Sequence, residues 1–323
     1  MSEMKNLRVA VLRGGPSEEY DVSMKTGSEV LSALGRQGVS ATDVIINKQG
    51  EWMVHGFAKD PASALSTSDV AFIALHGAYG EDGTVQRILD RIGIRYTGSR
   101  AYPSALAMNK ILTKDILRSA GVKTAPHLRI TRSSTDVRRV AASIESLFGP
   151  TYFIKPVNGG SSIATYKAHG IHELVNALTR ALKERDEVLV EKCIEGKEAT
   201  VGIVENLRGE RHYSLPAIEI VPPPANGFFD YEVKYNGETD EICPGRFSRE
   251  EKESLSDAAL KAHHHLGLSH YSRSDFIVSP NGIYFLETNT LPGLTSESLL
   301  PKALSAVGHS YDDFVLHLVA SAN

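Results

Sequence analysis

Short apolar runs alternate with segments of helical periodicity through the first hundred residues. Leu7 to Leu12, Val39 to Ile46 and Asp69 to Leu75 are the apolar runs, each of strand length. The near-continuous apolarity of Asp69 to Leu75 is that of a strand buried on both faces, as in a parallel sheet. Between the first two runs, Val22, Val30, Leu31 and Leu34 form a stripe at helical spacing, with Gly35 near its end. A second helix is predicted over Thr84 to Ile92. This alternation predicts an open α/β sheet, and such sheets bind ligands beyond the carboxyl ends of their strands. Gly14-Gly15 and His76-Gly77 stand at two such ends.

The middle of the chain mixes both periods. Ala101 to Ala120 is predicted as one helix carrying Lys110 and closed by Gly121. A strand (His127 to Thr131), a helix (Thr135 to Phe148) and a strand (Thr151 to Pro156) follow. Then come Val157-Asn158-Gly159-Gly160-Ser161-Ser162 and a strand, Ile163 to Lys167. This reads as a hairpin flap whose backbone N–H groups and hydroxyls suit phosphate oxygens, with Lys155 at its base. The alternative is a plain surface hairpin. Ile171 to Lys183 is an amphipathic helix. Glu187 to Glu191, Glu198 to Val204 and Ser214 to Val221 are predicted strands. Pro222 to Phe247 is long and irregular and contains Asp230-Tyr231-Glu232-Val233-Lys234-Tyr235, so it reads as an active-site loop. Ser248 to Leu266 is a helix ending near His263-His264-His265. Consecutive helical positions point about 100° apart, so these three cannot jointly chelate one ion.

The strongest chemical signal lies near the C-terminus. Tyr271 to Val278 and Ile283 to Asn289 flank Ser279-Pro280-Asn281-Gly282, a hairpin pattern. Arg273 and Asp275 are spaced i, i+2 on the first strand, as are Glu287 and Asn289 on the second, so each pair shares a face. If the strands pair around the turn, two carboxylates and a carboxamide converge with Arg273 beside them. These are hard oxygen ligands suited to Mg²⁺, which shares its sphere with substrate phosphates. A nucleotide is therefore implied. Helices over Ser296 to Val307 and Tyr311 to Ala320 close the chain.

Composition narrows the class. The 323 residues predict two or three domains. The 41% hydrophobic and 23% charged residues are those of a soluble globular chain, and a net charge of −4 argues against a nucleic-acid surface. Cys193 and Cys243 are too few for a disulfide framework or structural zinc site. No apolar run approaches the ~20 residues of a membrane span, and the N-terminus lacks a signal-like segment, so a cytoplasmic protein is expected. The chain has neither a G-x-G-x-x-G after its first strand nor a G-x-x-x-x-G-K-[ST] motif.

Taken together, the motifs resemble the D-alanine–D-alanine ligases of the ATP-grasp superfamily. The residues that carry the likeness are Gly14-Gly15-Pro16-Ser17-Glu18-Glu19-Tyr20-Asp21-Val22-Ser23, Ala74-Leu75-His76-Gly77, Gly80-Glu81-Asp82-Gly83 and Tyr96-Thr97-Gly98-Ser99. Further on they are Met108-Asn109-Lys110, Ile154-Lys155-Pro156, Gly160-Ser161-Ser162, Lys234-Tyr235, Arg273-Ser274-Asp275, Leu286 to Gly293, and Ser298-Leu299. The ordered set spans essentially the whole chain. It implies an ATP-grasp fold behind an N-terminal open α/β domain, α/β in class and α+β toward the C-terminus. The expected domains are 1–103, 104–188 with the phosphate flap, and 189–323 with the metal and oxyanion site.

The resemblance also implies roles. Lys110 and Lys155 would hold the ATP phosphates, with Ser162 and Lys234 also at the nucleotide. Glu191, Lys192 and Ile194 would surround the adenine, and Glu198 would meet the ribose. Asp275, Glu287 and Asn289 would hold two Mg²⁺ ions, or Mn²⁺ in their place. Glu19, with His76 nearby, would receive the first alanine's ammonium group. Ser161 and Tyr235 would link the flap and the long loop to Glu19. Arg273 and the Gly293 N–H would form the oxyanion site, and Ser298-Leu299 would receive the second alanine's carboxylate. The expected partners are D-alanine and ATP, with a homodimer as the assembly. Gly159, Ala164, Cys193 and Ser274 depart from the common pattern, and none of them removes a catalytic group.

Overall fold

The structure, a computed structural model, describes residues 6–132, 136–159, 165–222 and 239–322. Three sheets form among the described residues. The first is built on β1 (Arg8–Gly14), which pairs in parallel with β2 (Ser40–Ile46) and β5 (Val70–Ile73). β6 (Arg95–Tyr96) extends it in parallel, while β3 (Trp52–Val54) and β4 (Phe57–Lys59) add antiparallel strands at the other edge. The expected parallel α/β arrangement is present because Val9 to Leu12 and Val70 to Ile73 are buried on both faces. Helices α1 (Tyr20–Arg36), α2 (Pro61–Leu65) and α3 (Thr84–Ile92) connect the strands. Gly14 has φ +91° and a Cβ there would lie 2.3 Å from the Ile46 carbonyl oxygen, so only glycine lets β1 turn so tightly past β2.

Ala101 to Ala120 is not one helix. It divides into α4 (Ala101–Met108) and α5 (Lys110–Ser119) at Asn109, whose backbone is extended at φ −88°, ψ 102°. The Asn109 side chain accepts from the Leu112 N–H at 3.0 Å, and the Lys110 N–H leaves the helix to donate to the Val157 carbonyl at 2.9 Å. Local side-chain capping thus competes successfully with helix continuation. The break joins the start of α5 to the base of the segment after β8 (Thr151–Pro156), where Asn109 and Asn158 form an isolated bridge.

The second sheet has the order β7 (His127–Thr131), β10 (Glu187–Lys192), β8, β9 (Tyr166–His169), all antiparallel. Helices α6 (Val137–Phe148) and α7 (Gly170–Glu184) cover it through Ile144, Phe148, Leu174 and Leu178. The expected boundary at 188/189 falls inside β10; pairing with β7 and β8 carries this sheet to Lys192. Likewise α4 and α5 pack through Leu106, Ala107 and Leu117 on the third sheet rather than the second.

The third sheet is built on β11 (Lys197–Leu207) and the hairpin β15 (Tyr271–Ser279) and β16 (Gly282–Asn289). The predicted strand over Ser214 to Val221 is two pieces along one edge of β11, β12 (Glu210–Ser214) and β13 (Ile218–Val221). Pro216 lies in the gap and cannot donate to a ladder. β14 (Asp240–Ile242) pairs with β13 inside the stretch expected to be irregular. Helix α8 (Arg249–His265) packs on this sheet and begins with a full capping box between Ser248 and Glu251. The last helices, α9 (Leu299–Ala306) and α10 (Tyr311–Ser321), share a core with the first sheet. Arg36 pairs with Asp312 at 2.5 Å across that contact. No helix among the described residues is long and apolar enough to cross a membrane.

Candidate active site

The β15–β16 hairpin carries the centre of the site. In register, Asp275 stands opposite Glu287 and Arg273 opposite Asn289. Phe276 stands opposite Phe285, so Leu286 is an extra residue and forms a β-bulge. On an unbroken strand, Phe285 and Glu287 would share a face. The bulge separates them: Phe285 is fully buried in the core against Phe276, and Glu287 lies with Asp275 along the cleft. The register sets Asp275 opposite Glu287, and Asn289 follows two residues further along β16, opposite Arg273. Thr200 of β11 donates to Asp275 Oδ1 at 2.6 Å, and Arg273 forks onto both Asp275 oxygens at 3.1 Å.

Lysines face these acids. Lys110, the first residue of α5, reaches Glu287 at 3.3 Å and also donates to the Gly159 carbonyl. Lys155, on β8, reaches Glu191 Oε2 at 2.7 Å. Lys114 reaches Glu191 Oε1, also at 2.7 Å, and donates to the Leu286 carbonyl at 3.0 Å. It was not singled out from the sequence. The available signal is its position one helical turn beyond Lys110, on the same face of α5. Its ammonium binds the carbonyl of the bulge residue itself. Glu191 was expected at the adenine, but its 2%-exposed side chain is turned into the two lysines.

The electrostatics follow from burial and pairing. Burial works against the Glu191 carboxylate, but Lys114 and Lys155 outweigh it and hold the pKa well below the usual range. Burial also opposes the Lys155 ammonium, but Glu191, Glu287 and Glu198 raise its pKa. Lys114 is more deeply enclosed and sits beside Lys155 and Lys110, so burial wins and its pKa falls despite Glu191. Partial burial opposes the Arg273 guanidinium, yet Asp275, then Glu287 and Glu81, keep its pKa above the ordinary value.

A cleft of about 520 Å³ opens between the second and third sheets. Phe153, Ile194, Val221, Ile277 and Leu286 supply apolar walls, and Lys110, Lys155, Asp275 and Glu287 supply charge. Lys192, Cys193 and Glu198 also line it. An apolar pocket with charge at one side suits a nucleotide base with its phosphates. The donor set fits divalent magnesium: two carboxylates and Asn289, whose Nδ2 is buried without a hydrogen-bond partner among the described residues. With the amide turned over, an oxygen ligand takes that place.

A second, smaller hollow is lined by Glu19, Glu81, Lys110, Glu287 and Asn289. Glu19 precedes α1 and lies over Gly77, where a Cβ would be 2.5 Å from its Oε2. His76 is buried, and both ring nitrogens are used by the protein. Nδ1 lies 2.9 Å from the Leu291 carbonyl, which can only accept, so Nδ1 carries the proton. Nε2 then accepts from Thr26 Oγ1 at 2.8 Å. Burial lowers the His76 pKa, which keeps the ring neutral. The residue expected to touch substrate instead ties the first sheet to the turn after β16. Glu81, of the Gly80-Glu81-Asp82-Gly83 motif, accepts from the Gly77, Thr290 and Leu291 N–H groups. Burial and then Glu19 push its pKa up to about 7.

Ser298 stands at the N-terminus of α9 without capping it; its hydroxyl turns back to the Thr295 N–H and hydroxyl at 3.2 and 2.8 Å. A Cβ on Gly293 would lie 2.8 Å from that hydroxyl, so the Gly293 loop closes over the helix start. Leu299 is the first residue of α9. Ser161, Ser162, Lys234 and Tyr235, expected on the flap and the long loop, lie outside the described residues, as does Ala164.

Two antiparallel sheets that bring lysines and carboxylates to one cleft, behind an open α/β sheet, define an ATP-grasp fold. The family model described as D-ala D-ala ligase C-terminus matches residues 116–320, and that described as D-ala D-ala ligase N-terminus matches residues 55–99. The chain belongs to the D-alanine–D-alanine ligase family. The D-alanine–D-alanine ligase of Geobacter sulfurreducens is 40% identical over 99% of this chain and 95% of that protein. That of Syntrophotalea carbinolica is 37% identical over 99% and 98%. Among solved structures, the VanG D-Ala:D-Ser ligase of Enterococcus faecalis has a TM-score of 0.83 at 28% identity, covering 98% of this chain and 99% of its own. The D-alanine–D-alanine ligase of Bacillus anthracis complexed with ATP has a TM-score of 0.76 at 29% identity, covering 98% and 96%.

The Lys114 contacts lead to a stability prediction. Lys114→Met removes one partner of a buried ion pair and orphans the bulge carbonyl, so it is expected to destabilise the fold by about 3 kcal/mol. Urea unfolding followed by circular dichroism measures this, and unchanged stability would show that the bulge holds without it.

Proposed function

We propose that the protein condenses two molecules of D-alanine with cleavage of ATP to ADP, through a D-alanyl phosphate, supplying the dipeptide for peptidoglycan precursors. The observation that carries this reading is the meeting of Asp275 and Glu287 in register, with Lys110 at 3.3 Å from Glu287. A carboxylate is a poor electrophile because its leaving group would be oxide, and phosphorylation supplies a better one. Phosphoryl transfer needs alignment and charge neutralisation more than covalent help from the protein. Lys110 and Lys155 line the cleft for the phosphates. Asp275, Glu287 and Asn289 would hold two Mg²⁺ ions, which when bound neutralise charge on the transferring group.

Glu19, in the hollow beside Lys110 and Glu287, would take the first D-alanine's ammonium group. His76 orders this wall and has no ring nitrogen to spare for substrate. The second D-alanine's carboxylate would sit at Ser298-Leu299, where the free helix start offers N–H groups. Its neutral amine attacks the acyl phosphate, Arg273 with the Gly293 N–H stabilises the tetrahedral oxyanion, and collapse breaks the C–O bond, releasing phosphate as the peptide bond forms. Ser161, Ser162, Lys234 and Tyr235 would close the site and exclude water, because an acyl phosphate hydrolyses when exposed. Domain limits of 1–103, 104–188 and 189–323 belong to this reading, with the second limit moved to follow Lys192. A cytoplasmic location and a homodimer belong to it as well.

ADP release measured with D-alanine, L-alanine, D-serine and D-lactate, with the product identified by mass, tests the proposal. D-alanine alone is expected to support release and to yield the dipeptide. A preference for D-serine or D-lactate at the second position rejects the assignment. Arg273→Ala is expected to lower kcat about 100-fold or more while ATP binding survives; equal losses of rate and ATP affinity would remove its oxyanion role. Light scattering is expected to give twice the 35.1 kDa chain mass, and the chain mass itself would exclude the homodimer.

A further inference from the structure

A second group of metal-binding side chains lies at the other end of β11. Thr200, which holds Asp275, and Glu205 are five residues apart on that strand, about 17 Å at strand rise. Glu205 faces His212 of β12 and His263 of α8. We infer that Glu205, His212 and His263 form a binding site for Zn²⁺ where β11, β12 and α8 meet.

The spacing favours a cation over a direct hydrogen bond. His212 Nε2 and His263 Nε2 each lie 3.5 Å from the same oxygen, Glu205 Oε1. That is too long for a good N–H···O bond, which is 2.7–3.2 Å. It is close to the separation of about 3.4 Å between two ligand atoms on tetrahedral zinc. All three ligand atoms lie within 4.8 Å of one another.

The surroundings aim the ligand atoms. Glu205 Oε2 is occupied by the His270 N–H at 2.7 Å, leaving Oε1 turned to the imidazoles. His263 Nδ1 lies 2.8 Å from Ser272 Oγ, which fixes the ring and directs Nε2 inward. The His263 side chain is only 1% exposed, and its Nε2 has no hydrogen-bond partner among the described residues. A buried polar atom left without a partner is costly, and a metal ion would satisfy it. His212 is a quarter exposed, which gives the ion entry and leaves a fourth position for water.

The His263-His264-His265 run therefore contributes one ligand, as helical geometry requires. His264 and His265 are exposed, and His264 meets His212 only edge-on at 6.5 Å between ring centroids. Two imidazoles and one carboxylate suit zinc, whereas the oxygen set at Asp275, Glu287 and Asn289 suits magnesium. The ion would pin the β11–β12 hairpin to α8.

The test is zinc titration of the full chain by calorimetry in excess Mg²⁺, with Co²⁺ substitution to report coordination. One Zn²⁺ per chain is expected, with Co²⁺ spectra of a four-coordinate site. His212→Ala, at a part-exposed position, is expected to weaken Zn²⁺ binding about tenfold or more and to leave ADP release unchanged. His264→Ala should bind Zn²⁺ as the unaltered protein does. No zinc binding by the unaltered chain, undiminished binding by His212→Ala, or an equal loss in His264→Ala would each overturn the assignment.

Discussion

The candidate site depends on one irregularity, the extra residue Leu286 in β16. A strand alternates its side chains strictly, so a one-residue change of register transfers every following residue to the other face. Without the bulge, Glu287 would share the core face with Phe285. With it, Phe276 and Phe285 stay packed edge to face in the core, while Asp275 and Glu287 meet in the cleft. A bulge leaves backbone groups outside the ladder, and here the Lys114 ammonium takes up the Leu286 carbonyl. The same lysine meets Glu191, so the second sheet is tied to the bulge of the third through one buried side chain.

Charge is the second constraint. Lys114, Lys155 and Glu191 are nearly excluded from water, and none would remain ionised there alone. They persist because each has a partner within 2.7 Å. On the opposite side, Arg273 holds Asp275 and Lys110 holds Glu287, so both acids are paired with cations. The shared core of the first sheet, α9 and α10 includes Leu291 and Leu294, which flank the Gly293 loop.

β11 supports two separate polar clusters. Its Thr200 end steadies Asp275 beside the cleft, and its Glu205 end meets His212 and His263 beneath α8. β15 pairs with this strand from Lys197 to Val204, so Thr200 lies within that ladder and Glu205 just beyond it.

Much of this molecule can be read from its residues in order. The buried apolar runs specify the parallel strands, the Pro-Asn-Gly turn specifies the hairpin, and i, i+2 spacing assigns Arg273 with Asp275 and Glu287 with Asn289 to shared faces. These are local properties, set by periodicity and turn chemistry within a few positions. What sequence periodicity cannot express is a choice made by contacts between distant segments. Asn109 ends a helix because its backbone and that of Lys110 are drawn to 157–158, and Pro216 interrupts an edge whose neighbour is β11. Glu191 serves two lysines from other elements, and His76 joins Thr26 to Leu291. The bulge at Leu286 and the Glu205–His212–His263 cluster likewise exist only once separate strands and helices are packed, because burial and pairing across the fold, not spacing along the chain, decide where those polar atoms find their partners.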